Sequence, residues 1–160
     1  MSENLNIAII QADLKWEDAN ANRKLFSEAI EKISDEVELI ILPEMFTTGF
    51  SMNAAELAEK TDAETLSWMK EHARKKSSAI TGSVIISENG NYYNRLFFVF
   101  PDGSYRLYDK RHTFTLAKED ETYTAGTDRL IVEYKGWKIC PLICYDLRFP
   151  VFSRNTVDYD

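Results

Sequence analysis

Cysteine is nearly absent from this chain: there are two, Cys140 and Cys144, four positions apart. With no further Cys and no His cluster, the pair fits neither a disulfide framework nor a zinc site, and no metal or cofactor is implied. Histidine is equally scarce. Only His72 and His112 occur, and no Ser sits in a Gly-x-Ser-x-Gly elbow, so a Ser-His-Asp hydrolase lacks its parts. A papain-like protease would need one of those His residues as base, yet His72 is expected on the polar side of a helix and His112 as a hydrogen-bonding residue of a loop. The glycines are scattered through turns and build no phosphate-cradling loop. No apolar run is long enough to span a membrane, and Met1-Ser2-Glu3-Asn4 leads into a strand without a signal-peptide core, so a cytoplasmic setting is expected. Positive charge is also short. A net charge of −7 disfavours nonspecific nucleic-acid binding, and an anionic small molecule would need a local cationic patch.

What is present is a mixed succession of strand and helix patterns, in 160 residues that can bury one core. Asn6 to Gln11 and Val37 to Leu42 read as strands. Between them, Asn20 to Ser34 forms an amphipathic helix with Leu25, Phe26, Ala29, Ile30 and Ile33 on or near one face. Thr61 with Glu64 makes a capping-box pattern opening a helix to about Lys76. Ala79 to Ser87 and Tyr92 to Phe100 read as a hairpin around Asn89-Gly90, and Pro101-Asp102-Gly103 turns the chain into Tyr105 to Asp109. Arg129 to Tyr134 and Trp137 to Ile143 suggest a second hairpin, and Pro150 suits the first turn of a helix. A βαβ opening followed by hairpins predicts an α/β sheet with helices outside it.

Three polar residues fall at strand ends. Cys144 follows the apolar run Trp137-Lys138-Ile139-Cys140-Pro141-Leu142-Ile143; Glu44 follows Val37 to Pro43; Lys110 follows Tyr105 to Asp109. A Cys where a strand stops and turns toward a helix lies beside backbone N–H groups and a positive dipole end, which favour thiolate. Cys140, inside the strand, reads as packing. Acyl transfer needs this set of groups. A thiol must lose its proton to attack a carbonyl or nitrile carbon, a shielded carboxylate can take it, and the oxyanion needs positive partners. Glu44 is the candidate base, and Lys110 and the backbone N–H of Tyr145 are the candidate oxyanion partners. Phe46, Phe50, Phe114 and Tyr145 could wall a compact pocket.

Around these residues stand Leu42-Pro43-Glu44-Met45-Phe46, Tyr108-Asp109-Lys110-Arg111-His112 and Cys144-Tyr145-Asp146-Leu147-Arg148-Phe149-Pro150. In order and over essentially the whole chain, they resemble the carbon-nitrogen hydrolase, or nitrilase, superfamily. The segments Glu44 to Phe50 and Lys110 to Phe114 are similar to the omega-amidases of the YafV-like branch. The resemblance implies Glu44 as general base, Lys110 as stabiliser of the tetrahedral intermediate and Cys144 as acylated nucleophile, acting on a small-molecule amide such as 2-oxoglutaramate or 2-oxosuccinamate. It also implies a second Glu. Glu119 stands seven positions before Gly126, the family's spacing, with Glu121 as the competing candidate. The implied fold is a nitrilase-type α-β-β-α sandwich that pairs into a homodimer. Residues 1–160 would form the N-terminal portion of a single carbon-nitrogen hydrolase domain, with its C-terminal part missing. The alternative reading is a non-catalytic fragment that associates through an unfinished sheet edge.

Overall fold

In the computed structural model, residues 4–156 and 159–160 are described; Met1-Ser2-Glu3 and residues 157–158 of the expectations above lie outside them. The first strand, β1 (Ile7–Ile9), leads to α1 (Ala19–Glu31), which starts where the Asp18 side chain accepts the Ala21 N–H at 2.9 Å. Phe26 and Ile30 of its inward face are fully buried. The chain returns through β2 (Leu39–Ile41), a short α2 (Ala54–Leu57) and α3 (Glu64–Lys76) to β3 (Ala79–Glu88). The three strands pair in parallel, Ile7 beside Leu39 and Leu39 beside Ala79.

From β3 onward the pairing is antiparallel. β4 (Asn91–Val99) returns along β3, and β5 (Tyr105–Asp109) returns along β4, completing a five-stranded sheet in sequence order. Asn89 and Gly90 turn the first of these hairpins with φ of 50° and 80°, the left-handed pair its two-residue loop requires. Because β5 runs in the same direction as β2, both strands end at one edge of the sheet. Residues just past those ends are therefore neighbours.

Side-chain alternation divides the sheet into two faces. One buries Ile40, Ile80, Val84, Ile86, Phe97 and Val99 under α1 and α3. The other buries Leu39, Ala79, Leu96, Phe98 and Tyr108 against a two-stranded ribbon, β6 (Val132–Tyr134) and β7 (Trp137–Ile139). The helix, sheet, sheet order agrees with the expected layers, and α5 (Pro150–Ser153) opens on proline as predicted.

Several local expectations are corrected. β7 stops at Ile139 rather than Ile143, because Pro141 has no N–H to give a ladder. The capping box at Thr61 is not formed: the helix starts on Ala63, and the Thr61 hydroxyl donates to Glu88 at 3.0 Å instead. His72 is buried rather than on a polar face. Its Nε2 lies 3.0 Å from the Ser27 hydroxyl of α1 and its ring 4.6 Å from that of Trp68, so it joins two helices.

Candidate active site

Two close backbone approaches place Glu44. Met45 has φ of 46°, and its N–H donates to the Ser83 hydroxyl at 2.8 Å while the Phe46 N–H donates to the Ser83 carbonyl at 3.1 Å. This turn sits so close to β3 that a Cβ on Gly82 would lie 2.9 Å from the Leu42 Cβ. Glycine is therefore needed there. Phe46 is carried inward by the same turn. It is fully buried, edge-on to Phe26 at 5.5 Å, and is a core residue rather than the expected pocket wall.

Lys110 is held from both sides of its strand end. The preceding Asp109 takes a two-pronged hydrogen bond from the Arg95 guanidinium at 2.7 and 2.8 Å, and the Lys110 N–H donates to the Asn94 carbonyl at 3.0 Å. Behind it, the Gly126 N–H donates to the Lys110 carbonyl at 2.9 Å, and a Cβ on Gly126 would lie 2.2 Å from the Asp109 oxygen. No side chain fits that gap without displacing the strand end.

The Lys110 ammonium, 1% exposed, donates to Glu44 Oε1 at 2.7 Å and to Glu119 Oε2 at 2.8 Å. Asn94 bridges the same two carboxylates, its Nδ2 donating to Glu44 Oε1 at 2.8 Å and to Glu119 Oε1 at 3.2 Å. Glu119 is fully buried at the start of α4 (Glu119–Thr122), and the Phe114 N–H donates to it at 2.5 Å. Glu121, the competing candidate, is exposed and lies 3.6 Å from Lys118. Burial works against the lysine charge, but Glu44 and Glu119 outweigh it and hold the Lys110 pKa above the ordinary value. Phe50 lies below this ion cluster, its ring centroid 5.2 Å from the Lys110 nitrogen.

Cys144 opens a 3-10 turn, Cys144–Arg148, with φ of 42°, so the chain swings left-handed at the sulfur-bearing residue. Its side chain is exposed on one side and on the other shares a cavity of about 90 Å³ with Glu44, Gly82 and Ser83. A second cavity of about 320 Å³ opens in front of it, lined by Phe114, Tyr145, Leu147 and Arg148. Tyr145 packs edge-on against Phe114 at 4.9 Å, and its N–H belongs to the first turn of the 3-10 segment, where donors lack acceptors within the helix. The expectation that the strand-end setting favours thiolate is opposed by the groups around the sulfur. Burial first, then the charge and hydrogen bond of Glu44, push the Cys144 thiol up, and Lys110 only partly offsets them. A protonated thiol facing a carboxylate is a nucleophile that needs a base at the moment of attack.

The structure thus brings together Glu44, Lys110, Glu119 and Cys144, with Phe50, Phe114 and Tyr145 around them. Asn94 and Asp146 were not singled out from sequence. A polar Asn94-Arg95 pair between the aromatic Tyr92-Tyr93 and the apolar Leu96 to Val99, and an Asp two residues after the Cys, were the signals available. Among the described residues, no His, Cys, Asp and Glu cluster has the makings of a metal site. No helix among them is long and apolar enough to cross a membrane.

The profile of the family described as carbon-nitrogen hydrolase matches residues 6–158. The chain is 46% identical to the omega-amidase YafV of Yersinia enterocolitica, over 98% of this chain and 60% of that protein. It is 34% identical to the 2-oxoglutaramate amidase of Bacillus subtilis, over 93% of this chain and 59% of that one. Among solved structures, XC1258 of Xanthomonas campestris, a CN-hydrolase superfamily protein, superposes with a TM-score of 0.93 at 44% identity, covering 96% of this chain and 58% of that one. The chain therefore spans about 60% of the length of the curated relatives it matches. With a family profile along nearly its whole length, and the acid, lysine and cysteine positions gathered at one end of the sheet, the chain belongs to the carbon-nitrogen hydrolase family.

Proposed function

We propose that this chain carries the reacting groups of a cysteine amidase that hydrolyses the terminal amide of a small 2-oxo acid amide, 2-oxoglutaramate or 2-oxosuccinamate, and releases ammonia. The observation that carries the reading is the buried Lys110 ammonium, held between Glu44 and Glu119 at 2.7 and 2.8 Å beside Cys144. The names of the omega-amidase and 2-oxoglutaramate amidase relatives support the substrate class. On the same reading, residues 1–160 are the N-terminal portion of a single hydrolase domain that works as a homodimer in the cytoplasm, and the family resemblance supports that setting.

The proximity of Cys144, Glu44 and Lys110 supports the following steps. Glu44 takes the Cys144 proton as the sulfur attacks the amide carbonyl carbon. The new oxyanion is met by the Lys110 ammonium and the Tyr145 N–H. As the C–N bond breaks, Glu44 returns the proton to the leaving nitrogen, ammonia departs, and a thioester remains on Cys144. A water molecule then gives its proton to Glu44 and attacks the thioester, and collapse frees the carboxylic acid and the thiol. Glu119 holds Lys110 charged and aimed throughout.

Glu44→Gln tests this reading on the complete gene product. Turnover is expected to fall roughly 10²-fold or more, because the amide keeps the hydrogen bonds but cannot accept the proton. The pH midpoint for alkylation of Cys144 by iodoacetamide should move down, since an anion that disfavours the thiolate has been removed. Glu119→Gln should also lower turnover, through loosened positioning of Lys110. Unaltered turnover in Glu44→Gln would remove that residue from the mechanism.

A further inference from the structure

We infer that Asp146 is a positioning residue that sets the nucleophile turn against the strand bearing Lys110. It is fully buried and two residues beyond Cys144, and it accepts hydrogen bonds from three parts of the chain. The Tyr108 hydroxyl of β5 donates to Oδ2 at 2.6 Å, and the Ile143 N–H, immediately before the nucleophile, donates to the same oxygen at 3.0 Å. Oδ1 takes the His112 N–H at 2.9 Å and faces the His112 Nδ1 at 2.8 Å. An ionised carboxylate only accepts, so that ring nitrogen carries the proton.

These bonds link the two halves of the reaction. Tyr108 lies in β5 and Lys110 follows the strand's last residue, its N–H still bonded to the Asn94 carbonyl of β4, so a contact to Tyr108 is a contact to the segment that carries the lysine. The Tyr108 hydroxyl accepts the Arg111 N–H at 3.1 Å, which fixes the residue following Lys110 as well. On the other side, the Asp146 N–H donates to the Ile143 carbonyl at 3.0 Å, closing the 3-10 turn around Cys144. His112 stacks on Phe149 at 3.7 Å and clamps the far end of the same turn. One carboxylate therefore fixes the distance between sulfur and ammonium, without touching either.

Its action is geometric. It works through the Tyr108 hydroxyl and the Ile143 and His112 N–H groups, whereas the largest influences on the Cys144 thiol are burial, Glu44, Lys110 and Glu119. This gives the inference a signature that an electrostatic role would not share.

The inference rests on the amidase reading, and the experiment separates the two. Asp146→Asn places an amide where four donors converge, so one of them must lose its acceptor. In the complete gene product, kcat for ammonia release should fall roughly 10²-fold, as for a reacting group displaced by about 1 Å, with KM changed only a few-fold. Iodoacetamide, itself a primary amide, serves as a probe that needs no turnover. Its plateau alkylation rate at Cys144 should drop about tenfold through the same misplacement, while the pH midpoint stays where it is in the unaltered protein. Tyr108→Phe removes one donor to Asp146, together with the acceptor of the Arg111 N–H, and should give the same signature at smaller amplitude; it decides the matter if Asp146→Asn does not fold. A shifted midpoint, or a folded variant with unchanged plateau rate, overturns the inference. Failure of the amidase reading shows as no ammonia from the unaltered protein, whatever the alkylation rates.

Discussion

Cys144→Ala is expected to abolish ammonia release from 2-oxoglutaramate while Cys140→Ala keeps most of it. Without the thiol there is no atom to form the acyl intermediate, and removal of a nucleophile typically costs about six powers of ten in kcat. Cys140 is half-buried behind β7, where burial pushes its thiol up and an alanine removes only a small packing group. Intact mass after brief exposure to substrate gives the second measure, an acyl adduct in the unaltered protein and none in Cys144→Ala. Equal loss in both variants, with folding intact, would count against Cys144 as nucleophile.

The positions of these groups were legible because strand patterns end where chemistry begins. An apolar run that stops at Glu or Lys puts that residue just past a strand end, Cys144 comes on the turn beyond β7, and the antiparallel hairpin announced by Pro101-Asp102-Gly103 carries Lys110 to Asn94. What was hidden is what depends on contacts between distant segments. Phe46 reads as a pocket wall from sequence, but the left-handed Met45 beside it turns it into the core. His72 looked solvated on its own helix, since its partner Ser27 lies on another. Asp146 and Asn94 bond to partners 38, 50 and 25 positions away, a distance over which local pattern carries no information. Glu119 was separable from Glu121 only through the family's spacing; nothing in Glu119-Asp120-Glu121 itself says which carboxylate turns inward.

Lys110→Met is expected to lower kcat by about 3 kcal/mol of transition-state stabilisation, because the ammonium strengthens its interaction as charge develops on the substrate oxygen. It should also weaken the fold. Methionine leaves Glu44 and the fully buried Glu119 facing each other without a cation, a loss of about 3–5 kcal/mol for a broken buried pair. In the unaltered protein the lysine pKa is raised on folding, so its share of stability is complete below the ordinary value of 10.5 and is lost as pH climbs through the higher folded value. Lys110→Arg should restore neither rate nor stability in full, since a planar guanidinium cannot sit in the space of a compact ammonium. Steady-state kinetics and urea unfolding at two pH values make the measurement. A raised KM with unchanged kcat in Lys110→Met would make the lysine a ground-state binder.

The left-handed φ of Cys144 places function and stability in opposition at a single residue. A side chain with a Cβ costs about 1–2 kcal/mol in that conformation, whereas glycine adopts it freely. Cys144→Gly should therefore outlast Cys144→Ala on heating by a few degrees, although both lack the proposed nucleophile. A selection for thermal robustness alone would drift toward glycine here and lose the reaction. If the two variants melt together, the turn holds no such tension.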